Sequence, residues 1–255
     1  MKNMIIFVVK KLKLKKYKIF HKIERLYYFW SYYYFRLNKN KNKWKHEGNL
    51  VETLLEDFPL IDSGMITKND LRIILNNLKD VLDENIEWEI LELGCNMGTT
   101  SLFIRKLLQF YWTSKKFHVY DSFEWLPEKW IEDLSPDNYF QKGICKTQKE
   151  YFIFNFKANK LEVPEIHVGW FAKIPPREYP WKIAFAFFDG DFYSSITDSF
   201  TMTYKKLSKG ARVLVHDYSN TSLPWARKSV KDFLQDKIER WTILEKGDLG
   251  ILIKK

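Results

Sequence analysis

The chain has 255 residues, of which 45% are hydrophobic and 17% aromatic, which suffices for one large α/β domain with an extension. Its net charge of +10 is uneven: residues 1–48 carry fourteen Lys/Arg and two acids, whereas residues 49–255 carry 28 basic and 30 acidic residues. Two cysteines exclude a disulfide framework and indicate a reducing cytoplasm. The apolar run at 4–9 is too short for a secretory signal, and no apolar stretch is long enough to cross a bilayer.

Residues 1–48 form a basic aromatic arm, in which apolar positions from Ile5 to Trp30 recur at roughly helical spacing. A basic amphipathic helix over residues 1–36 could lie on an anionic membrane surface, which would place the protein peripherally at the inner membrane. It could also pack on its own domain or on a second subunit as a homo-oligomer. Binding of single-stranded nucleic acid is the least favoured use. Residues 38–43 read as a solvated linker.

Residues 49–84 are predicted to form a helical layer, with helices over 49–60 and 68–83. Thr67 and Asp70 resemble a capping box in which Asp replaces the usual Glu. The apolar positions of the second helix lie on one stripe, so we expect this layer to pack over the main sheet.

A glycine turn follows the first predicted strand, which begins near Trp88. Gly94 and Gly98 allow the backbone to approach a ligand closely, and a helix starting near Gly98 offers N–H donors at its N-terminus. A second strand over 117–121 ends in Asp121, ~20–30 residues after the turn, where a carboxylate can accept from ribose hydroxyls. Together the turn and the acid predict a nucleoside-binding site.

The remaining elements complete an alternating pattern. Residues 124–148 are aperiodic and predict a loop over the site. Its aromatic side chains could stack on a sugar ring or a phenol, or fill a core: Trp125, Trp130, Tyr139 and Phe140. Helices are predicted over 147–160 and 225–238, a strand over 162–168, and antiparallel strands over 241–246 and 250–254. The fold class is therefore α/β, a doubly wound, mostly parallel, seven-stranded Rossmann-like sheet over 85–255 with a C-terminal antiparallel hairpin.

Acidic residues follow two further apolar strands, over 183–188 and 213–215. Asp189, Asp191, His216 and Asp217 fall at the carboxyl ends of these strands, where open α/β sheets place ligands. Carboxylates held together repel unless a cation joins them, and a divalent metal is the simplest candidate, since Mg²⁺ prefers carboxylate oxygens. The alternative is two acidic loops that cap helices and face solvent.

Six motifs, in this order, resemble class I S-adenosylmethionine-dependent methyltransferases, most closely the macrocin O-methyltransferase family, whose members methylate sugar hydroxyls of antibiotics. The motifs are Glu92-Leu-Gly-Cys-Asn-Met-Gly-Thr-Thr100, Tyr120-Asp-Ser-Phe-Glu-Trp-Leu-Pro127, Gly169-Trp-Phe171, Asp189-Gly-Asp-Phe-Tyr193, Lys206-Leu-Ser-Lys-Gly210 and His216-Asp-Tyr218. The resemblance covers roughly residues 85–255 and does not cover the arm.

The resemblance implies S-adenosylmethionine as cofactor, a divalent metal (Mg²⁺ or Mn²⁺), and a sugar or glycan hydroxyl as acceptor. It implies that the cofactor is bound by Glu92, Gly94, Cys95, Asn96, Gly98, Thr99, Asp121, Ser122 and Asp189. Asp189 and Asp217 match metal ligands, and Asp191 matches the general base. His216 stands where the family usually has an acid, so it is a ligand for a metal such as Mn²⁺, a second base, or a non-ligand. Asn96-Met97 stands where many members have a glycine or a basic residue.

Two other interpretations stay open at this point. Asp189-Gly-Asp191 also matches the Asp-x-Asp element of metal-dependent glycosyltransferases, although that reading leaves the glycine turn and Asp121 unexplained. A membrane-associated scaffold with a degenerate cofactor fold is the non-enzymatic alternative, although a scaffold has no need to keep four titratable groups together.

Overall fold

The computed structural model describes residues 50–56, 65–124, 126, 129, 133, 147–237 and 240–255. The predictions for the arm, its linker at 38–43 and the loop aromatics Trp125, Trp130, Tyr139 and Phe140 lie outside these residues. They stay predictions, as do the membrane contact, the homo-oligomer and the cytoplasmic location. Among the described helices, none combines the length and the apolar character needed to span a membrane.

Seven strands form one sheet in the order β3-β2-β1-β4-β5-β7-β6. They are β1 (Glu89–Leu93), β2 (Phe117–Asp121), β3 (Glu165–Val168), β4 (Ile183–Phe188), β5 (Leu207–Val215), β6 (Trp241–Lys246) and β7 (Leu249–Lys254). The first five strands are parallel, and β7 pairs antiparallel with both β5 and β6. All six residues of β4 are buried, as expected for a central strand covered on both faces. The predicted sheet is confirmed.

Within the residues that the structure describes, six α-helices accompany the strands: α1 (Leu50–Leu55), α2 (Lys68–Asp83), α3 (Thr99–Phe110), α4 (Lys149–Ala158), α5 (Tyr193–Thr203) and α6 (Pro224–Leu234). The capping box at the start of α2 is present, because Thr67 and Asp70 exchange side-chain and backbone hydrogen bonds. Arg212 of β5 donates to Asn77 at 3.0 Å and to Glu84 at 2.8 Å, so α2 packs on the sheet.

Several predicted boundaries were wrong. β3 begins at Glu165 rather than 162, because Pro164 lacks an N–H group for the sheet. β5 begins at Leu207 rather than 213, and its pairing with β4 shifts register around Gly210, whose φ is +79°. Such a bulge breaks the apolar alternation that sequence reading relies on. The helix predicted over 225–238 runs from Pro224, at a position favourable for proline, to Leu234. The helix predicted over 147–160 is shorter, at Lys149–Ala158, and of the helix predicted over 49–60 the structure describes only residues 50–56, in which Leu50–Leu55 are helical.

Candidate active site

The carboxyl ends of four adjacent parallel strands (β2, β1, β4 and β5) meet at one edge of the sheet. The backbone ladder continues past them: Gly94 N–H donates to Tyr120 at 2.8 Å, Asp189 N–H to Leu93 at 2.8 Å, and His216 N–H to Phe188 at 2.9 Å. These bonds hold the glycine turn and both acidic segments against one another.

The two glycines of the turn make room for protein atoms. Gly94 has φ +90°, and a Cβ there would lie 2.0 Å from the Asp189 carbonyl oxygen. Gly98 has φ +87°, and a Cβ there would lie 2.8 Å from the Phe152 ring of α4. The Gly94 contact places the turn directly against the acidic segment after β4.

We expect Gly94→Ala to lower the free energy of unfolding by about 2 kcal/mol or more, because its left-handed backbone disfavours a side chain and the carbonyl it meets is fixed in the sheet ladder. For a chain of this size, thermal unfolding should show a Tm lower by about 4–8 °C. Gly210→Ala is the matched control, since its φ is +79° but its Cβ meets only the mobile end of Ile86. Equal losses in the two variants would contradict the collision with Asp189.

Asp121 closes the glycine turn. Its Oδ2 accepts from the N–H groups of Cys95 and Asn96, both at 2.8 Å, and its Oδ1 accepts from Phe123 N–H at 2.7 Å. An ionised carboxylate offers about four lone-pair sites, so Oδ1 can still accept from one hydroxyl. The carboxylate therefore fits a ribose contact, whereas the amides of Cys95 and Asn96 are already used by Asp121. The Ser122 hydroxyl accepts from Glu124 N–H at 3.1 Å.

Glu92 lies beneath the turn and not on its surface. Its side chain is 1% exposed and accepts a hydrogen bond from Ser101 of α3, which joins β1 to that helix. Burial, with smaller contributions from the charges of Asp189 and Asp121, raises the pKa of Glu92 well above its ordinary value. Thr99, the first residue of α3, is also buried.

The Cys95 side chain is buried as well, and that burial raises the pKa of its thiol well above the ordinary value. The side-chain amide nitrogen of Asn96 lies 3.1 Å from the Met65 sulfur. Cys95 and Asn96, both predicted to line the cofactor, hold the turn through their backbone N–H groups, which donate to Asp121.

Asp189, His216 and Asp217 come together, with one potential ligand atom from each within 4.8 Å of the others. His216 Nδ1 is 2.9 Å from Asp189 Oδ1 and 3.2 Å from Asp217 Oδ2. Burial lowers the pKa of His216, but the two carboxylates outweigh it and hold that pKa well above the ordinary value. Two carboxylate oxygens and one imidazole nitrogen are a donor set that suits a divalent transition metal.

Asp191 lies beside this group but is held differently. Burial, followed by the charges of Asp189 and Asp217, raises the pKa of Asp191 well above its ordinary value, and Asp121 contributes in the same direction. Its backbone is left-handed, with φ +57°, and its carbonyl accepts from Trp225 Nε1–H at 2.6 Å. Asp tolerates this region better than most residues, and such conformations concentrate at functional sites.

Four residues support the site that sequence reasoning missed: Ser101, Asn155, Asn220 and Trp225. Asn155 donates to the Met97 carbonyl at 2.8 Å and steadies the glycine turn, and Asn220 donates to Asp217 Oδ1 at 2.8 Å. Asn220 could have been found, because it lies three residues after Asp217 in a turn. Trp225 gave no signal, because it reaches Asp191 only through the packing of α6.

One protein-family model matches residues 1–243 of the chain, and its description is "Macrocin-O-methyltransferase (TylF)". The chain belongs to the macrocin O-methyltransferase family. It is therefore an O-methyltransferase, which decides against the glycosyltransferase and scaffold interpretations. The match begins at residue 1, so it includes the arm, and the expectation that likeness to the family starts near residue 85 was wrong.

Individual relatives agree with this assignment. The chain is 26% identical over 184 residues to the 8-demethyl-8-(2,3-dimethoxy-alpha-L-rhamnosyl)-tetracenomycin-C 4'-O-methyltransferase of Streptomyces olivaceus, covering 69% of each chain. It is 25% identical over 187 residues to the mycinamicin III 3''-O-methyltransferase of Micromonospora griseorubida, covering 70% of this chain and 72% of the relative. Among solved structures, the O-methyltransferase NovP has the same fold, with a TM-score of 0.68, 23% identity, and coverage of 82% and 90% of the two chains.

Proposed function

We propose that the protein transfers the methyl group of S-adenosylmethionine to a sugar hydroxyl of a small-molecule glycoside, assisted by a divalent metal. One observation carries the proposal: the predicted ribose acid and the acidic group lie at the same sheet edge. The turn that Asp121 closes lies directly against Asp189, whose carbonyl oxygen would be 2.0 Å from a Cβ on Gly94. The sugar acceptor is supported by the rhamnosyl tetracenomycin and mycinamicin III relatives.

The cofactor, when bound, supplies a methyl group made electrophilic by its sulfonium. The free lone pair of Asp121 Oδ1 accepts from a ribose hydroxyl, and the turn it closes forms one wall of the site. Residues proposed to line or support that wall are Glu92, Gly94, Cys95, Asn96, Gly98, Thr99, Ser122 and Asp189. Because Asn155 and the Phe152 ring hold this turn in place, the wall exists before the cofactor arrives.

Asp191 is proposed as the general base. An acceptor hydroxyl must lose its proton as the new bond to carbon forms, and a carboxylate with a raised pKa takes that proton more readily than an ordinary one. Trp225 Nε1–H holds the main chain at Asp191 by donating to the backbone carbonyl of that residue. His216, which contacts Asp189 and Asp217, is assigned to the metal.

Asp189, His216 and Asp217 would hold the divalent ion, which would supply Lewis-acid polarisation of the acceptor hydroxyl. Asn220 keeps Asp217 oriented for this role through its hydrogen bond to Oδ1. The imidazole nitrogen in the set favours Mn²⁺ over Mg²⁺.

We expect removal of the metal by dialysis against a chelator to lower kcat about 10-fold or more, because acceptor polarisation contributes to the rate. Adding Mn²⁺ should restore activity more fully than Mg²⁺, as followed by methyl transfer under saturating cofactor. Asp217→Asn is the matched variant, and its residual activity should not respond to either ion. Full activity in protein shown by elemental analysis to be metal-free would contradict the metal's role.

The acceptor is tested with methyl-labelled S-adenosylmethionine and matched compounds: glycosides with free sugar hydroxyls, the same aglycones without sugar, and simple phenols. We expect the label only in glycosides, with mass-spectrometric fragmentation placing it on the sugar. Label on an aglycone or phenol would contradict the sugar acceptor while leaving the methyltransferase assignment in place.

A further inference from the structure

A second cluster of titratable side chains lies away from the active site, on β2 and the edge strand β3. His118 pairs in register with Glu165, and Tyr120 pairs with His167. His118, Glu165 and His167 therefore lie close together on the β2–β3 ladder. His118 Nδ1 is 3.1 Å from His167 Nε2 and 3.4 Å from Glu165 Oε2. One atom from each lies within 4.8 Å of the others. His118 and Glu165 lie towards the strands' amino ends, opposite the candidate active site.

The outer nitrogens of both rings face carboxylates. His118 Nε2 contacts Glu89, and His167 Nδ1 is 3.3 Å from Glu178 Oε2. A carboxylate only accepts, so a neutral His167 ring places its proton on Nδ1, which faces Glu178. A neutral His118 ring places its proton on Nε2, because Glu89 lies 2.5 Å from that nitrogen whereas Glu165 lies 3.4 Å from Nδ1. His118 Nδ1 and His167 Nε2 are then two lone pairs facing each other at 3.1 Å. Such an arrangement is repulsive unless a cation or a proton lies between the two rings.

Two of the three separations between ligand atoms fit a tetrahedral zinc ion, although the two rings, whose centroids are 5.4 Å apart, would have to tilt for both lone pairs to point at the ion. Zinc–nitrogen bonds of about 2.0–2.1 Å require ligand atoms about 3.3–3.4 Å apart along a tetrahedral edge. The separations of 3.1 Å between the two ring nitrogens and 3.4 Å from His118 to Glu165 are close to that value. Lys116 Nζ is 3.0 Å from Glu165 Oε1, so it occupies one oxygen and leaves Oε2 facing His118.

We propose that His118, His167 and Glu165 form a zinc site that joins β2 to β3, with Glu89 and Glu178 orienting the two rings from outside. A carboxylate on the far nitrogen of a ligating histidine is the usual support of a zinc centre. Three protein ligands leave a fourth position for water.

The site has a structural consequence, because β3 has four residues and, among the strands of the described part of the chain, pairs with β2 alone. The residue after it, Gly169, donates its N–H to the Asp121 carbonyl at 2.9 Å. Zinc therefore fastens the strand whose end contacts the backbone of the predicted ribose acid, and it stabilises the fold without entering the reaction.

The test starts from full-length protein stripped with a chelator and then titrated with Zn²⁺ alone. After gel filtration, elemental analysis should find one zinc per chain fewer in His167→Gln than in wild type. At zinc about 100-fold above its Kd, the wild-type Tm should rise by about 5–10 °C, and this shift should be absent in His167→Gln. Co²⁺ in place of zinc should give the intense visible absorption of a tetrahedral ion in wild type and not in the variant.

Three further variants make the result decisive. Asp217→Asn disturbs only the active-site group and should keep both the zinc-induced Tm shift and the tetrahedral cobalt spectrum. Glu165→Gln changes a half-exposed side chain, so it should fold even if His167→Gln does not, and it should also lose one zinc. Glu178→Gln should weaken zinc binding about 10–100-fold. If His167→Gln and Glu165→Gln bind as much zinc as wild type, the proposal is overturned and the two rings share a proton instead.

Discussion

Replacing Asp191 by Asn is expected to lower kcat about 10²–10⁴-fold, the usual contribution of a general base, while the affinity for the cofactor stays close to that of wild type. The amide cannot accept the acceptor's proton, but it has nearly the shape of the carboxylate. Asn also tolerates the left-handed backbone at this position, where φ is +57°, so the loop should keep its conformation. Single-turnover methyl transfer at saturating cofactor measures the effect on chemistry directly.

The control for this change is Asp248→Asn, which makes the same chemical substitution at an exposed residue between β6 and β7. Its kcat should equal that of wild type. If Asp191→Asn turned over at the rate of Asp248→Asn, the assignment of Asp191 as the base would be wrong. A parallel loss of cofactor affinity would instead indicate that the substitution had disturbed the glycine turn.

Replacing Asp121 by Asn is expected to weaken S-adenosylhomocysteine binding about 10²-fold. The change removes the negative charge that strengthens its hydrogen bonds, each worth about 1.5–3 kcal/mol, and turns one acceptor oxygen into a donor. That donor would face the N–H groups of Cys95 and Asn96 or of Phe123. Loss of the ribose contact and distortion of the turn should both lower the affinity for S-adenosylhomocysteine, which calorimetric titration measures.

Glu124→Gln is the matched control, because Glu124 is an exposed carboxylate three residues further along the same segment. Its affinity should be unchanged. Wild-type affinity in Asp121→Asn would show that cofactor binding depends neither on a contact with this carboxylate nor on its hydrogen bonds to the turn.

The fold was predictable where local patterns were strong. β2 and β4 match their predicted bounds, because each is a nearly continuous apolar run with an acid at its carboxyl end: Asp121 is the last residue of β2, and Asp189 follows β4. α2 was bounded correctly by the Thr67–Asp70 capping box. β5 was underestimated because the irregularity at Gly210 interrupts its pattern, and β3 was overestimated because the effect of Pro164 on sheet pairing was overlooked.

The meeting of Asp189, His216 and Asp217 could be anticipated, because the carboxyl ends of parallel strands share one edge. Contacts between segments that are distant in the sequence could not be anticipated. Phe152 against Gly98 and Trp225 against the Asp191 carbonyl depend on how helices pack, which a helical pattern does not specify. The contact of His118 with His167 likewise depends on the register of β2 with β3.

The most direct test of the central claim is calorimetric titration of S-adenosylhomocysteine into the purified full-length protein, with and without EDTA. We expect one site per chain with a Kd on the order of micromolar, at the low end of enzyme KM values, unchanged by EDTA and strongly weakened in Asp121→Asn. Absence of binding by well-folded wild-type protein would contradict the account, because it would show that the turn from Gly94 to Gly98 does not hold the cofactor.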